Sequence, residues 1–492
     1  MKDLKEKTIR GGSARICAQA ASFGLRVGSL MVLARLLSPR DFGLVGMVTA
    51  FTGVLFLFRD FGLSAASVQR ASVTEEQTST LFWINLLVGG VLSIVAVAVA
   101  PIVGTFYHEP RLLWVTSVVA IGFLFNGAGI QHSALLQRQM RFTALASIDI
   151  FSLIISTAVA ISMAKAGYGY WALVAMTVSL PFTTTIALWL TTSWVPGLPR
   201  SGVGIRSMMR FGGTMTLNGL VVYIATNFEK VLLGRYWGAE AIGIYGRAYQ
   251  LIRIPTDNLN SAIGEVAFAA LSRLQDDPDR LKRYFLKGYS LVVALTLPIT
   301  IACALFADDM VFVLLGPKWK EAAGIFRLLA PTILVFAVAN PLGWLLNSLG
   351  LVGRGLKMAL VFAPLMIVGY LIALPYGPRG VALAYSAVMT LWVVPSIAWA
   401  VHGTVVSVWD ILRALSRPLS SSIVAAGLTY GVGLTYGPLM SPTPRLILET
   451  IILFVTYTGL LVFAAGKKSV YLEILHGFKG PSSAEEKSLT SA

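Results

Sequence analysis

Charged side chains inside long apolar stretches are the residues of this sequence whose chemistry stands out. Arg26 lies near the middle of its apolar stretch, and Glu229 and Lys230 lie in the second half of another. A charge in the hydrocarbon core of a bilayer costs on the order of 2.5 to 3.5 kcal/mol, so such a group usually faces a water-filled cavity or a partner. These three positions therefore predict a polar passage through a membrane.

The apolar stretch that follows Lys230 carries Arg247, Arg253 and Asp257. Arg253 and Asp257 are four residues apart, a spacing that puts both on one helical face and allows an ion pair. Arg26, Lys230 and Arg253 are three deep basic residues against the two acidic residues Glu229 and Asp257, an excess that favours an anionic cargo. Glu229 and Asp257 are the groups expected either to bind a coupling ion or to pair with the basic residues.

Uncharged polar residues form two seams at helical spacing beside these charges. They are Gln19, Ser22 and Ser29 around Arg26, and Tyr223, Thr226 and Asn227 before Lys230. One interpretation is that the two seams face each other across a wet cleft. The other, favoured for the small polar residues, is that they hydrogen-bond neighbouring helices, as such groups do in membranes.

The composition places most of the chain in lipid. Of 492 residues, 56% are hydrophobic and only 13% are charged, and the mean hydropathy is +0.75. A soluble globular chain carries about 25% charged residues. The net charge of +16 does not indicate a nucleic-acid partner, because the basic residues are concentrated in the loops on the side of the termini, as the positive-inside rule requires. We therefore expect a multi-pass membrane protein with both termini in the cytoplasm.

The chain also contains an internal repeat. Residues 10–50 and 210–250 align at a constant offset of about 200 residues. The matched pairs are Arg10 with Arg210, Gly12 with Gly212, Leu33 with Leu233, Arg35 with Arg235, Gly43 with Gly243 and Gly46 with Gly246. Repeated helices with inward charges are typical of transporters.

The apolar runs predict an all-α polytopic fold of about fourteen transmembrane helices, because roughly 20 apolar residues span the hydrocarbon core. We expect an N-terminal six-helix lobe at residues 1–200, a second six-helix lobe at 201–405, two extra helices at 406–466 and a cytoplasmic tail at 467–492. Cys17 and Cys303 both fall inside predicted spans, so neither a structural disulfide nor a metal site is expected. The loops are too short for a nucleotide-binding domain, and we expect no cofactor.

Two phrases indicate a family. LLSPRDFGLVGM at 36–47 and LGRYWGAEAIGIYGRAYQ at 233–250 resemble the polysaccharide-export, or O-antigen-type, flippases of the multidrug, oligosaccharidyl-lipid and polysaccharide flippase superfamily. The resemblance extends over nearly the whole chain. It implies two six-helix lobes around a central cavity, alternating access, and two additional C-terminal helices.

The same resemblance implies a substrate and a location. Members of the family move undecaprenyl-diphosphate-linked sugar repeat units from the cytoplasmic to the periplasmic leaflet of the bacterial inner membrane, next to polysaccharide polymerase and chain-length proteins. The family has no catalytic motif to carry over. Only its basic cavity residues transfer, onto Arg26, Lys230, Arg247 and Arg253.

Two other functions remain open at this stage. A multidrug and toxin extruder of the same superfamily would export organic cations and would depend on acidic rather than basic cavity residues. A membrane polysaccharide polymerase would need a large periplasmic loop with catalytic groups, and no predicted loop is long enough. We therefore expect a transporter and not an enzyme.

Overall fold

The computed structural model describes residues 21–59, 74–200 and 206–464. Within these ranges the chain is helical and contains no strand. Several features of the sequence analysis lie outside the described residues: Arg10, Gly12, Cys17, Gln19 and the tail at 467–492. The all-α fold class expected from the sequence is confirmed.

The helices follow one another with short connections. In chain order they are α1 (21–36), α2 (Pro39–Leu57), α3 (Glu75–Tyr107), α4 (Arg111–Arg138), α5 (Phe142–Lys165), α6 (Tyr170–Thr192), α7 (Arg206–Ser272), α8 (Pro278–Leu305), α9 (Ala307–Leu315), α10 (Lys320–Leu329), α11 (Pro331–Ser348), α12 (Val352–Ala373), α13 (Gly377–Val401), α14 (Val408–Tyr436) and α15 (Pro442–Gly459).

The number of membrane spans differs from the fourteen expected. Eight of the described helical stretches are long and apolar enough to cross a bilayer, or up to nine if the bent pair Pro317–Leu329 and Pro331–Ser348 is one span. One of the eight, Gly353–Val401, is 49 residues long and joins two of the expected spans. Helices α7 and α14 are helical as expected but are not among the eight, so the count of fourteen is not confirmed.

The sequence explains why these helices present apolar side chains outward. On α3, Leu87 and Ile94 are 68% and 71% exposed, whereas Gly89 and Ala96 on the opposite face are buried. Lipid tails are as apolar as leucine, so burying a leucine between helices gains little in a membrane, and small residues serve better at helix contacts. The exposed stripe is therefore the face expected to lie against lipid.

The chain divides into two compact units whose segments alternate along the sequence. The first comprises Met1–Ala248, Leu314–Ile325 and Ala359–Tyr385, and the second comprises Tyr249–Val313, Phe326–Met358 and Ser386–Ala492. In the first unit α3 packs on α4, and α6 packs on both α4 and α5. In the second unit α8 packs on α11 and α14, and α14 packs on α15. The lobe boundaries expected from the sequence remain a prediction.

The two copies of the repeat contact each other inside the first unit. A Cβ atom at Gly43 would lie 1.6 Å from the carbonyl oxygen of Ala239, and one at Gly243 would lie 1.8 Å from the carbonyl oxygen of Pro39. Each contact is the other shifted by the repeat offset of 200 residues. The two copies therefore meet through the same surface, related by a local two-fold arrangement, and glycine is needed because the backbones approach so closely.

Both copies also break at the corresponding place. In the first copy Ser38 caps α2, with its hydroxyl oxygen accepting from the Asp41 backbone N–H, and Pro39 starts the helix. In the second copy α7 is interrupted at Gly238, which has φ 80° and ψ −173°, values that glycine adopts at little cost. The Trp237 indole then donates to the carbonyl oxygen of Leu374 at 2.9 Å.

Two element boundaries differ from the sequence analysis. The apolar run at 324–349, which hydropathy predicts as a single span, is bent by 43° between α10 and α11, where Pro331 begins a new helix because it cannot donate to the preceding turn. The stretch with Arg413, Arg417 and Pro418, which the sequence predicts as a break before the two extra helices, is helical from Val408 onward. A capping box between Ser407 and Asp410 starts that helix early.

Candidate functional site

A cavity of about 580 Å³ lies inside the first unit, between α2, α4, α5 and α6. Its apolar lining includes Phe56 and Phe123. Its uncharged polar lining consists of Thr49, Thr52, Asn126, Ser133, Thr177, Thr184 and Thr185. Two charged residues, Arg59 and Asp149, complete it. This combination of hydroxyl, amide and charged groups makes the cavity the candidate substrate site.

Close contacts between small residues hold the helices around the cavity. A Cβ atom at Gly127 would lie 2.5 Å from the carbonyl oxygen of Asn85, so α3 and α4 touch backbone to backbone. Across the next interface, the Thr185 hydroxyl donates to the carbonyl oxygen of Phe125 at 2.7 Å and the Trp189 indole donates to that of Ala128 at 2.9 Å. These bonds fix α6 against α4 and keep the cavity walls in place.

The polar side chains of the cavity donate their hydrogen bonds to backbone carbonyl oxygens. Thr52 donates to the carbonyl oxygen of Val48 at 2.9 Å, and Thr177 donates to that of Leu173 at 2.9 Å. The side-chain amide of Asn126 donates to the next turn in the same way, at 2.8 Å. A hydroxyl with its proton so engaged still has free lone pairs, as does the amide oxygen. The walls therefore offer mainly hydrogen-bond acceptors, which suit a ligand rich in hydroxyl donors.

Two charged side chains, Arg59 and Asp149, line this cavity. The Arg59 guanidinium lies 3.8 Å from the centroid of the Phe56 ring, a cation–π contact that orients it. Asp149 on α5 interacts electrostatically with Arg26 on α1, whose side chain is exposed. Arg26, predicted as a cavity residue, is therefore near an acidic residue of the lining but does not itself line the cavity.

The seam on α7 is linked to the same cavity. The Lys230 ammonium donates to the Asn227 side-chain oxygen at 2.7 Å, and the Asn227 amide donates to the carbonyl oxygen of Tyr223 at 3.0 Å. The Tyr223 hydroxyl in turn donates to the carbonyl oxygen of Thr49 at 3.2 Å. Thr226 donates weakly to Tyr223 at 3.4 Å. Three of these four bonds stay within the helix, and only that of Tyr223 reaches a neighbouring helix.

The remaining residues of the seam on α1 follow the same pattern. Ser29 is buried, and its hydroxyl donates to the carbonyl oxygen of Arg26 at 2.9 Å. Ser22, one turn earlier, is half-buried. The Ser29 hydroxyl therefore makes its hydrogen bond inside its own helix. Among the described residues of this seam, the guanidinium of Arg26 is the group that can contact a ligand.

The other predicted charged residues occupy different surroundings. Glu229 is fully buried, and neither of its carboxylate oxygens has a hydrogen-bond partner among the described residues. The Arg247 guanidinium lies 4.5 Å from the centroid of the Phe42 ring. In the second unit, Arg253 forms the expected ion pair with Asp257 at 3.0 Å, with side chains 41% and 58% exposed.

The sequence analysis singled out neither Asp149 nor Arg59 as a cavity residue. Both line the cavity. A signal for Asp149 was present, since it is an acidic residue three positions into the apolar run that begins at Ser147. For Arg59 the sequence shows only that it follows a helix end, and the cavity wall beside it is made by helices that are distant in sequence.

Comparison with known proteins adds the family. Residues 32–324 match the family described as polysaccharide biosynthesis protein. The chain is 26% identical to the lipopolysaccharide biosynthesis protein WzxC of Escherichia coli over 79% of this chain and 80% of that one. It is 30% identical to the teichuronic acid biosynthesis protein TuaB of Bacillus subtilis over 59% of this chain and 61% of that one.

Solved structures show the same fold at low sequence identity. The lipid II flippase MurJ in an inward closed conformation matches with a TM-score of 0.75 and 13% identity, covering 92% of this chain and 99% of that one. An inward-facing multidrug resistance MATE family transporter of the MOP superfamily matches with a TM-score of 0.63 and 13% identity, over 76% and 93%. The resemblance expected from the sequence is confirmed.

Proposed function

Because the chain belongs to the polysaccharide biosynthesis protein family, we propose that it is a flippase for a lipid-linked oligosaccharide. The substrate would be an undecaprenyl-diphosphate-linked repeat unit, moved from the cytoplasmic to the periplasmic leaflet of a bacterial inner membrane. Relatives named for lipopolysaccharide, teichuronic acid and succinoglycan biosynthesis support a polysaccharide role. The chain would act as a transporter without a catalytic step.

The observation that carries the proposal is the cavity of about 580 Å³ with acceptor-rich walls. A sugar presents many hydroxyl donors and no net charge, and the Thr and Asn lining matches that chemistry. One water molecule occupies about 30 Å³ in the liquid, so the volume corresponds to roughly twenty waters, enough for one or two sugar rings. The lipid tail would stay in the hydrocarbon while the head passes through the polar space.

The diphosphate would be met by basic side chains. Arg26 and Lys230 are the two we expect to matter most, since Arg26 stands beside Asp149 and Lys230 is joined through Asn227 and Tyr223 to a residue that lines the cavity. Arg59 adds a third cation at the lining. Arg247 and Arg253 remain proposed contacts for a later stage of the movement.

Transport would proceed by alternating access of two six-helix lobes, 1–200 and 201–405, with both termini in the cytoplasm. Glu229 and Asp257 are the proposed coupling or ion-pairing groups. Of these, Asp257 is already engaged by Arg253, whereas the Glu229 carboxylate is buried without a hydrogen bond to any residue that the structure describes. A polysaccharide polymerase and chain-length proteins are the partners we expect beside the lipid-linked substrate.

Depletion of the protein in its host tests this function. Lipid-linked repeat unit should accumulate in the cytoplasmic leaflet, and surface polysaccharide should fall while the lipid-linked precursor is still made. Normal translocation in depleted cells would overturn the proposal.

One observation favours a second function, the export of organic cations. Asp149 gives the cavity an acidic group of the kind that such a cargo requires. This alternative expects drug resistance to rise on overexpression and to be lost in Asp149→Asn, with surface polysaccharide unchanged. The flippase proposal expects no rise in drug resistance on overexpression, and a change in surface polysaccharide in Asp149→Asn.

A further inference from the structure

A second polar cavity lies away from the proposed substrate site, where α9, α14 and α15 meet in the second unit. Its volume is about 300 Å³. The charged residues that line it are Asp308, Asp309, Arg445 and Glu449. Arg445 and Glu449 lie outside the region matched by the family, and none of the four residues belongs to the predicted seams. Glu449 lies about 10 Å into α15, counted from Pro442 at 1.5 Å per residue.

Two of the acidic groups in this cavity already have cationic partners. Arg445 grips Asp309 with two parallel hydrogen bonds, one of them 2.6 Å from Nε to Oδ2, and also donates to the carbonyl oxygen of Gly437 at 3.3 Å. Arg327 pairs with Asp308 at 2.5 Å. Each of these two pairs has no net charge, so the net charge of the cavity depends on whether the remaining carboxyl is protonated.

Glu449 is that remaining carboxyl. It is 9% exposed, and within the described part of the chain it has no hydrogen bond and no ion pair. Its Oε1 faces Gly433, where a Cβ atom would lie only 2.8 Å away. The glycine leaves room for the carboxyl but supplies no side-chain donor to it.

An ionised carboxylate in such a place is costly, because burial removes most of its hydration and the nearby Arg445 guanidinium, which interacts with it electrostatically, is already hydrogen-bonded to Asp309. Ionisable residues inside a membrane span usually have a function for the same reason. The cavity offers a way to satisfy the group: 300 Å³ corresponds to about ten water molecules, so water can deliver a proton to the carboxyl.

We propose that this cavity is a proton-binding site, with the Glu449 carboxyl as the carrier and Arg445 as the residue that responds to it. A hydronium ion in the cavity gives its proton to a Glu449 oxygen and leaves a water molecule, and the reverse step releases the proton. No other covalent bond changes.

Arg445 connects proton binding to the packing of α15. It precedes Glu449 by four residues, so the two share one helical face. While Glu449 is protonated, Arg445 stays paired with Asp309 and holds α15 to α9. When Glu449 loses its proton, the two carboxylates compete for the one guanidinium, and the grip on α9 loosens. The other groups that face Glu449 are Asp308 with its partner Arg327, and the Tyr430 hydroxyl from α14.

The test is infrared difference spectroscopy of the full chain in lipid nanodiscs as the pH is raised. The wild type should lose a protonated-carboxyl band, and Glu449→Gln should lack that band. Glu321→Gln, which changes an exposed carboxylate on α10, serves as the matched control and should keep the band. A full wild-type band in Glu449→Gln would overturn the proton assignment.

Two further variants test the identity of the carrier and the role of Arg445 without relying on Glu449→Gln. Glu449→Asp should keep the band at a shifted frequency, which identifies the carrier even if the glutamine variant does not fold. Asp309→Asn frees Arg445 to pair with Glu449, so the band should be lost at a pH where the wild type retains it, and an unchanged band would refute the role of Arg445.

Loss of the wild-type band on adding sodium at constant pH and ionic strength would identify an alkali cation as the ligand and overturn the proton site.

Discussion

The indole nitrogen of Trp319 donates a hydrogen bond of 2.8 Å to the carbonyl oxygen of Ala34, 285 residues earlier in the chain. Both residues are fully buried, and the Trp319 ring also meets the edge of Phe42 with centroids 5.3 Å apart. A short 3₁₀ turn, Pro317–Trp319, thus ties itself to the end of α1. Trp319 is the largest fully buried side chain among the described residues, and tryptophan combines a large apolar area with one donor that must be satisfied.

We expect Trp319→Ala to lower the free energy of unfolding by about 3–5 kcal/mol, since it removes a large buried ring and leaves a cavity. Trp319→Phe should cost less, about 1–3 kcal/mol, because the ring volume is mostly kept but the Ala34 carbonyl loses its donor. Thermal unfolding of the detergent-solubilised protein measures both. Both variants lose the hydrogen bond and only alanine loses the ring, so an equal loss in the two would show that the buried ring adds nothing beyond the hydrogen bond.

The close contact between the repeats gives a second prediction. Gly43→Ala and Gly243→Ala each place a methyl group inside the van der Waals radius of a backbone oxygen, so the helices must move apart at a cost of about 1–3 kcal/mol. Gly246→Ala is the matched control, since a Cβ there meets nothing within 4 Å. Its unfolding temperature should hold or rise, because alanine favours a helix by up to about 1 kcal/mol over glycine.

The glycine variants are also expected to reduce surface polysaccharide more than Gly246→Ala does. If all three variants unfold at the same temperature as the wild type, the contact is absent in the conformation that dominates in detergent.

Replacement of the basic residues tests the proposed substrate site. Arg26→Ala and Lys230→Ala should each lower surface polysaccharide at least tenfold, which corresponds to about 1.4 kcal/mol of lost phosphate contact, while the amount of protein in the membrane holds. Arg26→Lys should restore part of the loss, because the charge returns without the guanidinium fork.

Arg413→Ala on the exposed surface of α14 is a suitable control for the charge itself. A parallel fall in membrane protein level would instead assign Arg26 and Lys230 to folding.

A pH dependence follows from the start of α14. The Lys282 ammonium, 2.7 Å from the Asp410 carboxylate, lowers the pKa of that carboxyl to about 2, with help from the N–H and hydroxyl of Ser407. An unfolded aspartate titrates near 3.9, so the folded state gains stability above about pH 4 and loses it as the pH falls toward 2. The gain is at most about 1 kcal/mol, because such a surface pair is screened by water.

Asp410→Asn should therefore unfold at a lower temperature than the wild type near pH 6, and the difference should shrink as the pH approaches 3. A constant difference across that range would mean that the amide loses packing or capping rather than charge.

The sequence predicted the helical class, the family and the repeat, because hydropathy and the matched glycines are local features of the chain. It also predicted the Arg253–Asp257 pair, since a four-residue spacing on one helix decides that contact. It did not indicate that Gly43 meets Ala239, because alignment of two copies shows which residues correspond and not which residues touch.

Groups whose importance depends on packing were missed for the same reason. Asp149 and Glu449 each lie in an expected span, but a single acidic letter does not reveal a cavity. The pair Arg445 and Glu449, four residues apart near the start of the last span, was the signal available for the second cavity. The bend at Pro331 was visible as a proline within an apolar run, yet the run looked continuous because its hydropathy does not change there.

The reciprocal contact of Gly43 with Ala239 and of Gly243 with Pro39 also bears on how this chain arose. Two identical chains related by a two-fold axis make such an exchange automatically, whereas two unrelated segments would need separate solutions on each side. We infer that a half-length ancestor associated with itself through this surface before gene duplication joined the partners. A reconstructed ancestral half should accordingly purify as a homodimer, and one that stays monomeric would refute this origin.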